Sequence, residues 1–145
     1  MQDLILPELP HTFRPRLSRI YAYVIGSVLL AGTVIMAIIL PYPLFGLSDR
    51  LGFITVGAVI FWFCHRQATV HVRADEHGVH VRNLFRSQQF EWAEIIDVSF
   101  VEGNPWAAAD LNTGDTIGLM AFQRTDGELG IRQAKQFQAL IERMS

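Results

Sequence analysis

Cysteine and charged residues are both scarce in this sequence. Cys64 is the single cysteine among 145 residues, which excludes an intrachain disulfide and is typical of a reducing compartment. Charged residues make up 18% of the chain, and the mean hydropathy of +0.25 is higher than that of an ordinary soluble domain of this length. Because the chain has room for one modest domain, the apolar excess indicates an integral membrane protein.

The chain also lacks the short motifs that mark catalytic and cofactor-binding sites. It contains no GxSxG, GxxxxGK[ST], GxGxxG or HExxH motif. His71, His77 and His80 are close in sequence, but no cysteine pair or HxxxH pair completes the ligand spacing of a zinc site. Asp110 and Asp115 have no nucleophile beside them. We therefore expect a protein that is not an enzyme, with no metal and no cofactor.

Residues 20–40 form a long hydrophobic run that contains no charged residue. At about 1.5 Å per residue it would form a helix of roughly 31 Å, which matches a hydrocarbon core of about 30 Å. A buried core helix is the alternative, but the run has no polar face and so small a chain cannot surround it. Pro41 and Pro43 end the helix. We predict a cytoplasmic N-terminal tail over residues 1–19 and a transmembrane helix over residues 20–40.

A second apolar segment covers residues 51–64 and has charged residues at both ends. Its helix would measure only about 21 Å, which is short for a full crossing. Snorkelling of Arg50 and Arg66, or extension of the helix, would close the gap, and a re-entrant or core helix is the alternative. We predict a short extracytoplasmic loop over residues 41–50 and a second transmembrane helix over residues 51–67.

Arginines flank the two apolar segments unequally. The loop between the segments contains Arg50 alone, beside Asp49. Arg14, Arg16 and Arg19 precede the first segment, and Arg66 and Arg73 follow the second. The positive-inside rule then predicts a multi-pass protein of the plasma membrane with both termini in the cytoplasm and lipids around both spans.

Residues 69–83 alternate between apolar and polar side chains, which predicts a β-hairpin. Residues 75–78 form the predicted turn, in which Gly78 would supply a left-handed conformation. If Ala74 pairs with Val79, the register of the hairpin is fixed. The apolar side chains then lie on one face and the polar side chains on the other. The predicted inner face consists of Val70, Val72, Ala74, Val79 and Val81. The predicted outer face consists of His71, Arg73, His80 and Arg82.

The rest of the chain predicts further strands and one helix. The predicted strands cover residues 88–92, 96–100, 106–111 and 116–122. Ile96, Val98 and Phe100 are expected to share one inner face, and the last two strands form a hairpin around residues 112–115. Residues 130–144 have the spacing of an amphipathic helix, with Phe137 at its buried centre beside Leu140 and Ile141. The fold class is a membrane α-helical hairpin followed, over residues 68–145, by an α+β domain with antiparallel strands in a small barrel or sandwich.

This order of elements resembles a bacterial pleckstrin-homology (PH) domain. It resembles in particular the actinobacterial two-span PH-like proteins related to the low molecular weight protein antigen 6 family. The matching stretch runs over residues 74–121, with Trp92-Ala-Glu-Ile95 between strands and a hairpin that starts at Trp106. The Phe13-Arg14-Pro15-Arg16 element before the first span also fits that group. The resemblance implies a membrane-tethered PH-like module.

The candidate binding surface is basic. It is predicted to contain His71, Arg73, His80, Arg82 and Arg86, on the first hairpin and in the turn after it. Eukaryotic PH domains bind phosphoinositide headgroups through basic residues of that hairpin, so the resemblance implies contact with anionic lipid. Residues 65–145, however, contain eight Lys and Arg against eleven Asp and Glu, a net charge of −3, which argues against nucleic acid and against strong lipid adhesion. An ordinary solvated strand face is the plain alternative.

Two functions therefore stay open at this point. The first is an interaction module that binds a partner protein, or serves as an accessory subunit of a membrane complex, at the cytoplasmic face of the membrane. The alternative is recognition of anionic lipid through the basic face of the first hairpin.

Overall fold

The structure, a computed structural model, describes residues 5–145. The first four residues of the predicted tail lie outside that range. In chain order the elements are β1 (His11–Phe13), α1 (Leu17–Ile39), α2 (Leu47–Ala68), β2 (His71–Ala74), β3 (Val79–Arg82), β4 (Ser87–Phe90), β5 (Ile95–Ser99), β6 (Trp106–Leu111), β7 (Thr116–Gln123) and α3 (Glu128–Met144). They form two compact units. The helical unit is Arg19–Ala68, and the sheet unit combines the described residues up to Ser18 with Thr69–Ser145.

The helical unit consists of two long apolar helices. α1 has 23 residues and α2 has 22, so they measure about 35 and 33 Å. Both are long and apolar enough to span a membrane. α2 begins at Leu47, four residues before the predicted start, because Asp49 accepts a hydrogen bond from the N–H of Gly46 (2.9 Å) and stabilises the first turn. The predicted shortness of the second segment is therefore not observed.

Small residues lie where α1 and α2 approach each other. A Cβ atom placed on Gly57 would lie 2.0 Å from Oγ1 of Thr33, and one on Gly26 would lie 2.9 Å from Cβ of Cys64. Gly32 and Gly52, by contrast, have no atom within 4 Å of that position. Gly26 and Gly57 thus allow the close approach of the two helices, and the single cysteine packs against one of them.

Arg50 satisfies the C-terminal end of α1. Its guanidinium donates hydrogen bonds to the carbonyl groups of Ala37, Ile38 (3.3 Å) and Leu40 (2.6 Å). The last carbonyl groups of a helix have no partner within the helix. A cation beside them also interacts favourably with the negative end of the helix dipole. The sequence interpretation of Arg50 as a snorkelling residue missed this contact.

The sheet unit takes one strand from the residues before the helices. Residues 11–13, which we expected in a tail without regular structure, form β1 and pair with β2, with Phe13 opposite Val72. Phe13 is fully buried in the core. Three residues are too few for an alternation signal, so local patterning does not predict a strand here.

Seven strands form two antiparallel sheets within the described residues, in the orders β1-β2-β3-β4 and β5-β6-β7. The hairpin register is confirmed, since Ala74 pairs with Val79 and Arg73 with His80. The β6–β7 hairpin is also confirmed, with Gly114 in a left-handed conformation (φ +92°) in its turn. The two sheets do not close into a barrel, so the barrel alternative is wrong.

The core lies between the two sheets and α3. The rings of Phe13, Phe122 and Phe137 meet edge-on or tilted, with centroids 5.4–5.8 Å apart. Phe137 is fully buried on the inner face of α3, as predicted. The side chain of Asn83 joins the two sheets, because its amide donates to the carbonyl of Gly118 (2.7 Å) and accepts from the N–H of Met120 (3.2 Å).

The predicted inner face of Ile96, Val98 and Phe100 is wrong at Ile96. Ile96 is 59% exposed, whereas Ile95 is 3% exposed and belongs to the core. The β5–β6 register shifts between Ile95 and Asp97, and the extra residue of a bulge reverses which side chains point inward. Val98 and Phe100 do pack against the core, as predicted.

Gly78 serves a different purpose from the one predicted. Its φ is not positive, so the turn does not need a left-handed residue there. A Cβ atom on Gly78 would instead lie 2.3 Å from the carbonyl oxygen of Phe90. Glycine is therefore required because β4 approaches the turn closely.

Candidate functional site

The basic candidate residues lie on the outer face of the four-stranded sheet, which is the face turned away from the core. Cross-strand pairing arranges this face in two rows. The first row is Thr12, Arg73, His80 and Gln89, and the second is His71, Arg82 and Ser87. We call these seven residues the outer face. Four of the five predicted site residues belong to it, and the fifth, Arg86, lies in the turn between β3 and β4.

A shallow depression of about 340 Å³ forms part of the outer face. His71, His80 and Arg82 line it, together with Ser87 and polar residues of β4. Nδ1 of His71 lies 2.9 Å from the carbonyl oxygen of Thr69. Because a carbonyl oxygen only accepts, this contact places the proton on Nδ1 and leaves Nε2 for a ligand. Arg73 and Arg86 do not line the depression, so the structure does not bring all five predicted residues together.

Sequence reasoning missed the contribution of β1 to this surface. Thr12 pairs with Arg73, and Arg14 follows one position beyond the strand. If the register continued by one residue pair, Arg14 would lie opposite His71, and its side chain is exposed. Only the pairing of β1 with β2 makes Thr12 part of the same face, and no local pattern in the sequence indicates that pairing.

The arginines of this surface are open to a ligand. Among the residues that the structure describes, Arg73, Arg82 and Arg86 form no ion pair. Arg73 and Arg86 are exposed, and Arg82 is partly buried. The turn that carries Arg86 is held by a hydrogen bond from the N–H of Asn83 to the Arg86 carbonyl (2.7 Å). Unpaired guanidinium groups are well suited to bind carboxylate or phosphate oxygens.

Asp75 stabilises the turn at one end of the outer face. Its Oδ1 accepts hydrogen bonds from the N–H groups of His77 (2.8 Å) and Gly78 (2.9 Å), and the Trp92 indole donates to its carbonyl (2.9 Å). Desolvation raises the pKa of the Asp75 carboxyl, but the backbone hydrogen bonds from Gly78 and His77, with the positive charges of His77 and His80, outweigh it. The pKa is therefore below its ordinary value of 3.8.

This lowered pKa predicts a pH-dependent contribution of Asp75 to stability. The folded state favours the ionised carboxyl, so the contribution is present above 3.8 and is lost as the pH falls through the folded-state pKa. Asp75→Asn keeps an oxygen acceptor but removes the charge. We expect the urea midpoint of the wild type to exceed that of Asp75→Asn at about pH 6, and the difference to shrink towards about pH 3. A difference in urea midpoint that does not change with pH would contradict the prediction. Asp75→Ala, which also loses the hydrogen-bond acceptor, serves as the control.

Metal-ligating side chains do not converge on this surface. Within residues 5–145, the structure contains no group of three or more His, Cys, Asp or Glu side chains placed to hold a metal ion. His71 and His80 face the depression with an arginine rather than with a carboxylate or a thiol. The arrangement thus favours an anionic ligand.

The two sheets and the helix packed across them define a PH-like fold. Residues 69–137 match the family model of the bacterial PH domain. The chain is 28% identical, over 139 residues, to uncharacterized proteins of Mycobacterium bovis and of two strains of Mycobacterium tuberculosis. The aligned region covers 92% of this chain and 86% of each relative. No solved structure matches the chain.

Proposed function

We propose that this chain is a non-enzymatic, membrane-anchored interaction module, whose PH-like unit binds a partner protein or serves as an accessory subunit of a membrane complex at the cytoplasmic face of the plasma membrane. One observation carries the proposal. β1 precedes the helical unit and β2–α3 follow it, yet all of them build one core around Phe13. The two apolar helices are therefore an anchor that is joined at both ends to a binding fold.

This arrangement supports two membrane crossings rather than one. Because Phe13 and Val72 are paired in one sheet, the chain between them must begin and end on the same side of a membrane. If α1 crosses, α2 must cross back. A length of about 33 Å for α2 is sufficient for this, since the hydrocarbon core measures about 30 Å. The predicted spans over residues 20–40 and 51–67 are supported by this reasoning.

The arginines support a cytoplasmic sheet unit. Arg14 and Arg16 belong to that unit and Arg66 lies near the end of α2, whereas Arg50, in the first turn of α2, binds the α1 carbonyl groups. By the positive-inside rule both termini would lie in the cytoplasm and the loop over residues 41–50 outside. The mycobacterial relatives are consistent with our proposal that the chain is an actinobacterial two-span protein related to the low molecular weight protein antigen 6 family.

Purification of the tagged full chain from native membranes in mild detergent tests the partner-protein proposal. We expect one protein to co-purify in a stoichiometric amount. If it binds the outer face, Arg73→Glu with Arg82→Glu removes it, while Arg132→Glu with Arg143→Glu, an equal charge change at exposed positions of α3, retains it. Recovery of the folded chain alone, at wild-type expression, would contradict the proposal.

Recognition of anionic lipid is the second candidate, and the unpaired arginines of the outer face favour it. Each cation near an anionic surface contributes about 1 kcal/mol. We expect the full chain, held in nanodiscs of neutral phosphatidylcholine, to bind phosphatidylglycerol vesicles at low salt. Arg73→Glu with Arg82→Glu should weaken vesicle binding by at least about tenfold in a flotation assay.

The matched α3 variant and added salt are the controls for lipid binding. Arg132→Glu with Arg143→Glu makes the same change in net charge and should leave vesicle binding close to that of the wild type. Salt at about 0.5 M should release the wild type, because it screens exposed charges. Equal weakening by both double variants would show that net charge, and not the outer face, determines the binding.

A further inference from the structure

The turn between β3 and β4, residues 83–86, presents an apolar ring at its tip. Phe85 is 66% exposed, and it is the one phenylalanine or tryptophan that is exposed among the described residues of the sheet unit. A single exposed apolar side chain is ordinary on the surface of a soluble domain. The position of this one is not ordinary, because the turn lies at the end of the sheet that is joined to the two apolar helices.

Both connections to the helical unit leave the same end of the four-stranded sheet. β1 leads towards α1 and ends at Phe13, which pairs with Val72 near the start of β2. Only two residues separate the end of α2 from β2. At this end His71 pairs with Arg82, the last residue of β3, so the turn begins about 5 Å from the start of β2. Three residues further along, Phe85 lies within roughly 15 Å of that point.

The turn is fixed by hydrogen bonds to its own backbone and to β7. The N–H of Asn83 donates to the carbonyl of Arg86 (2.7 Å) and closes the turn. The side chain of Asn83 binds the backbone of Gly118 and Met120, and the N–H of Leu84 donates to Sδ of Met120 (3.4 Å). The exposed ring therefore has a defined position, and little conformational entropy is lost when the turn meets a surface.

The charges of the four-stranded sheet are divided between its two ends. Residues 77–90 contain no aspartate or glutamate, and Arg82 and Arg86 lie on either side of the exposed ring. Acidic residues lie at the opposite end, where Asp75 is in the turn between β2 and β3 and Glu91 follows β4. Cations next to an anionic lipid surface are stabilising. The apolar ring and the charge at this end therefore fit the same kind of partner, a lipid surface.

We propose that Phe85 and Arg86 insert into the headgroup layer of the same membrane that holds α1 and α2, and so attach the sheet unit to that membrane at a third point. The ring would lie at the boundary between headgroups and acyl chains, and the guanidinium would bind phosphate oxygens. This inference deepens the proposed function and rests on it, because it takes both helices as membrane spans. The acidic end of the sheet would then face the cytoplasm.

Quenching of tryptophan fluorescence by brominated lipid tests this contact. The full chain is placed in nanodiscs of phosphatidylcholine and phosphatidylglycerol, with or without bromine on the upper acyl carbons. Trp62 of α2 is exposed and is replaced in Trp62→Phe, so that Trp92 and Trp106 give the baseline. Adding Phe85→Trp to this chain should add emission that brominated lipid quenches by at least about twofold, because an indole favours the membrane interface.

His77→Trp is the matched control for this variant. His77 is exposed in the turn between β2 and β3, at the opposite end of the same sheet. The emission that it adds to the Trp62→Phe chain should not be quenched by brominated lipid. Equal quenching for Phe85→Trp and His77→Trp would overturn the proposal. Emission from Phe85→Trp that is shielded from aqueous acrylamide but is not quenched by the lipid would also overturn it, because a protein surface would then cover the turn.

The contribution of Arg86 is tested in the same chain. Arg86→Glu should reduce the quenching of the indole that Phe85→Trp adds by at least about twofold in discs that contain phosphatidylglycerol. Arg132→Glu makes an equal charge change at an exposed position of α3 and should leave the quenching unchanged. An equal reduction by both substitutions would show that net charge is responsible and would overturn the role assigned to Arg86.

The failure of this inference can be distinguished from failure of the proposed function. Trp62 reports on the helices, since brominated lipid should quench the wild type more strongly than Trp62→Phe. If this difference is observed but the indole added by Phe85→Trp is not quenched, the helices lie in the membrane and only the third attachment fails. If the difference is absent, the membrane anchor fails, and the proposed function fails with it.

Discussion

Replacing Phe13 by alanine should lower the free energy of unfolding of the sheet unit by about 3–5 kcal/mol. The ring is fully buried and lies edge-on to Phe122 and Phe137, at 5.4 and 5.8 Å between centroids. Its removal leaves a cavity where β1 meets the other sheet and α3. The total free energy of unfolding of a small domain is only about 5–15 kcal/mol, so this loss should be easy to detect. The measurement is urea unfolding of the detergent-solubilised chain, followed by near-ultraviolet circular dichroism.

Thr12→Ala is the matched control for this prediction. Thr12 belongs to the same three-residue strand but lies on the outer face, opposite Arg73. Its replacement should cost no more than about 1 kcal/mol. If Phe13→Ala were as mild as Thr12→Ala, β1 would not be part of the folded core, and the argument for two membrane crossings would lose its basis.

Replacing Gly57 by alanine should destabilise the helical unit by about 1–3 kcal/mol. Alanine normally stabilises a helix by about 1 kcal/mol relative to glycine, so helix propensity alone would predict that this variant is more stable than the wild type. The expected destabilisation comes from contact with α1, because a Cβ atom on Gly57 would lie 2.0 Å from Oγ1 of Thr33. That hydroxyl is itself fixed by a hydrogen bond to the carbonyl of Leu30 (2.9 Å).

Gly52→Ala provides the comparison on the same helix. No atom lies within 4 Å of its Cβ position, so this variant should be as stable as the wild type or slightly more stable. The free energy of unfolding can be followed by titration with a denaturing detergent. Combining Gly57→Ala with Thr33→Ala should restore most of the lost stability. A double variant that is no more stable than Gly57→Ala would show that the contact with Thr33 is not the cause.

The hairpin of β2 and β3 was predictable because one residue pair fixes all the others. Alternation assigned Val72, Val81 and their neighbours to the core, and a shift of one residue would have buried arginines. Helix α3 was predictable for a related reason, since the spacing of its apolar residues gives one buried face around Phe137.

Features that depend on single tertiary contacts were not predictable from local patterns. The bulge at Ile95 reversed an inward face, and nothing in the local alternation indicates an extra residue. Gly78 was assigned to turn geometry, although a distant carbonyl group, that of Phe90, is what excludes a side chain there. For the candidate site, the hairpin residues were found from alternation, but Thr12 joined them only through the pairing of β1 with β2.

The position of β1 also determines when the PH-like unit can be completed during synthesis. His11 pairs with Ala74, so β1 must wait until both helices have been made before its partner strand exists. At about 5–20 residues per second this delay lasts several seconds, during which Phe13 has no core to enter. If both helices span the membrane, as proposed, a chain in which only one helix is inserted would keep β1 and β2 in different compartments, and its PH-like unit could not finish folding. Completion of the fold would then depend on the insertion of both helices, and a chain with one inserted helix would present an unfinished sheet to cellular proteases.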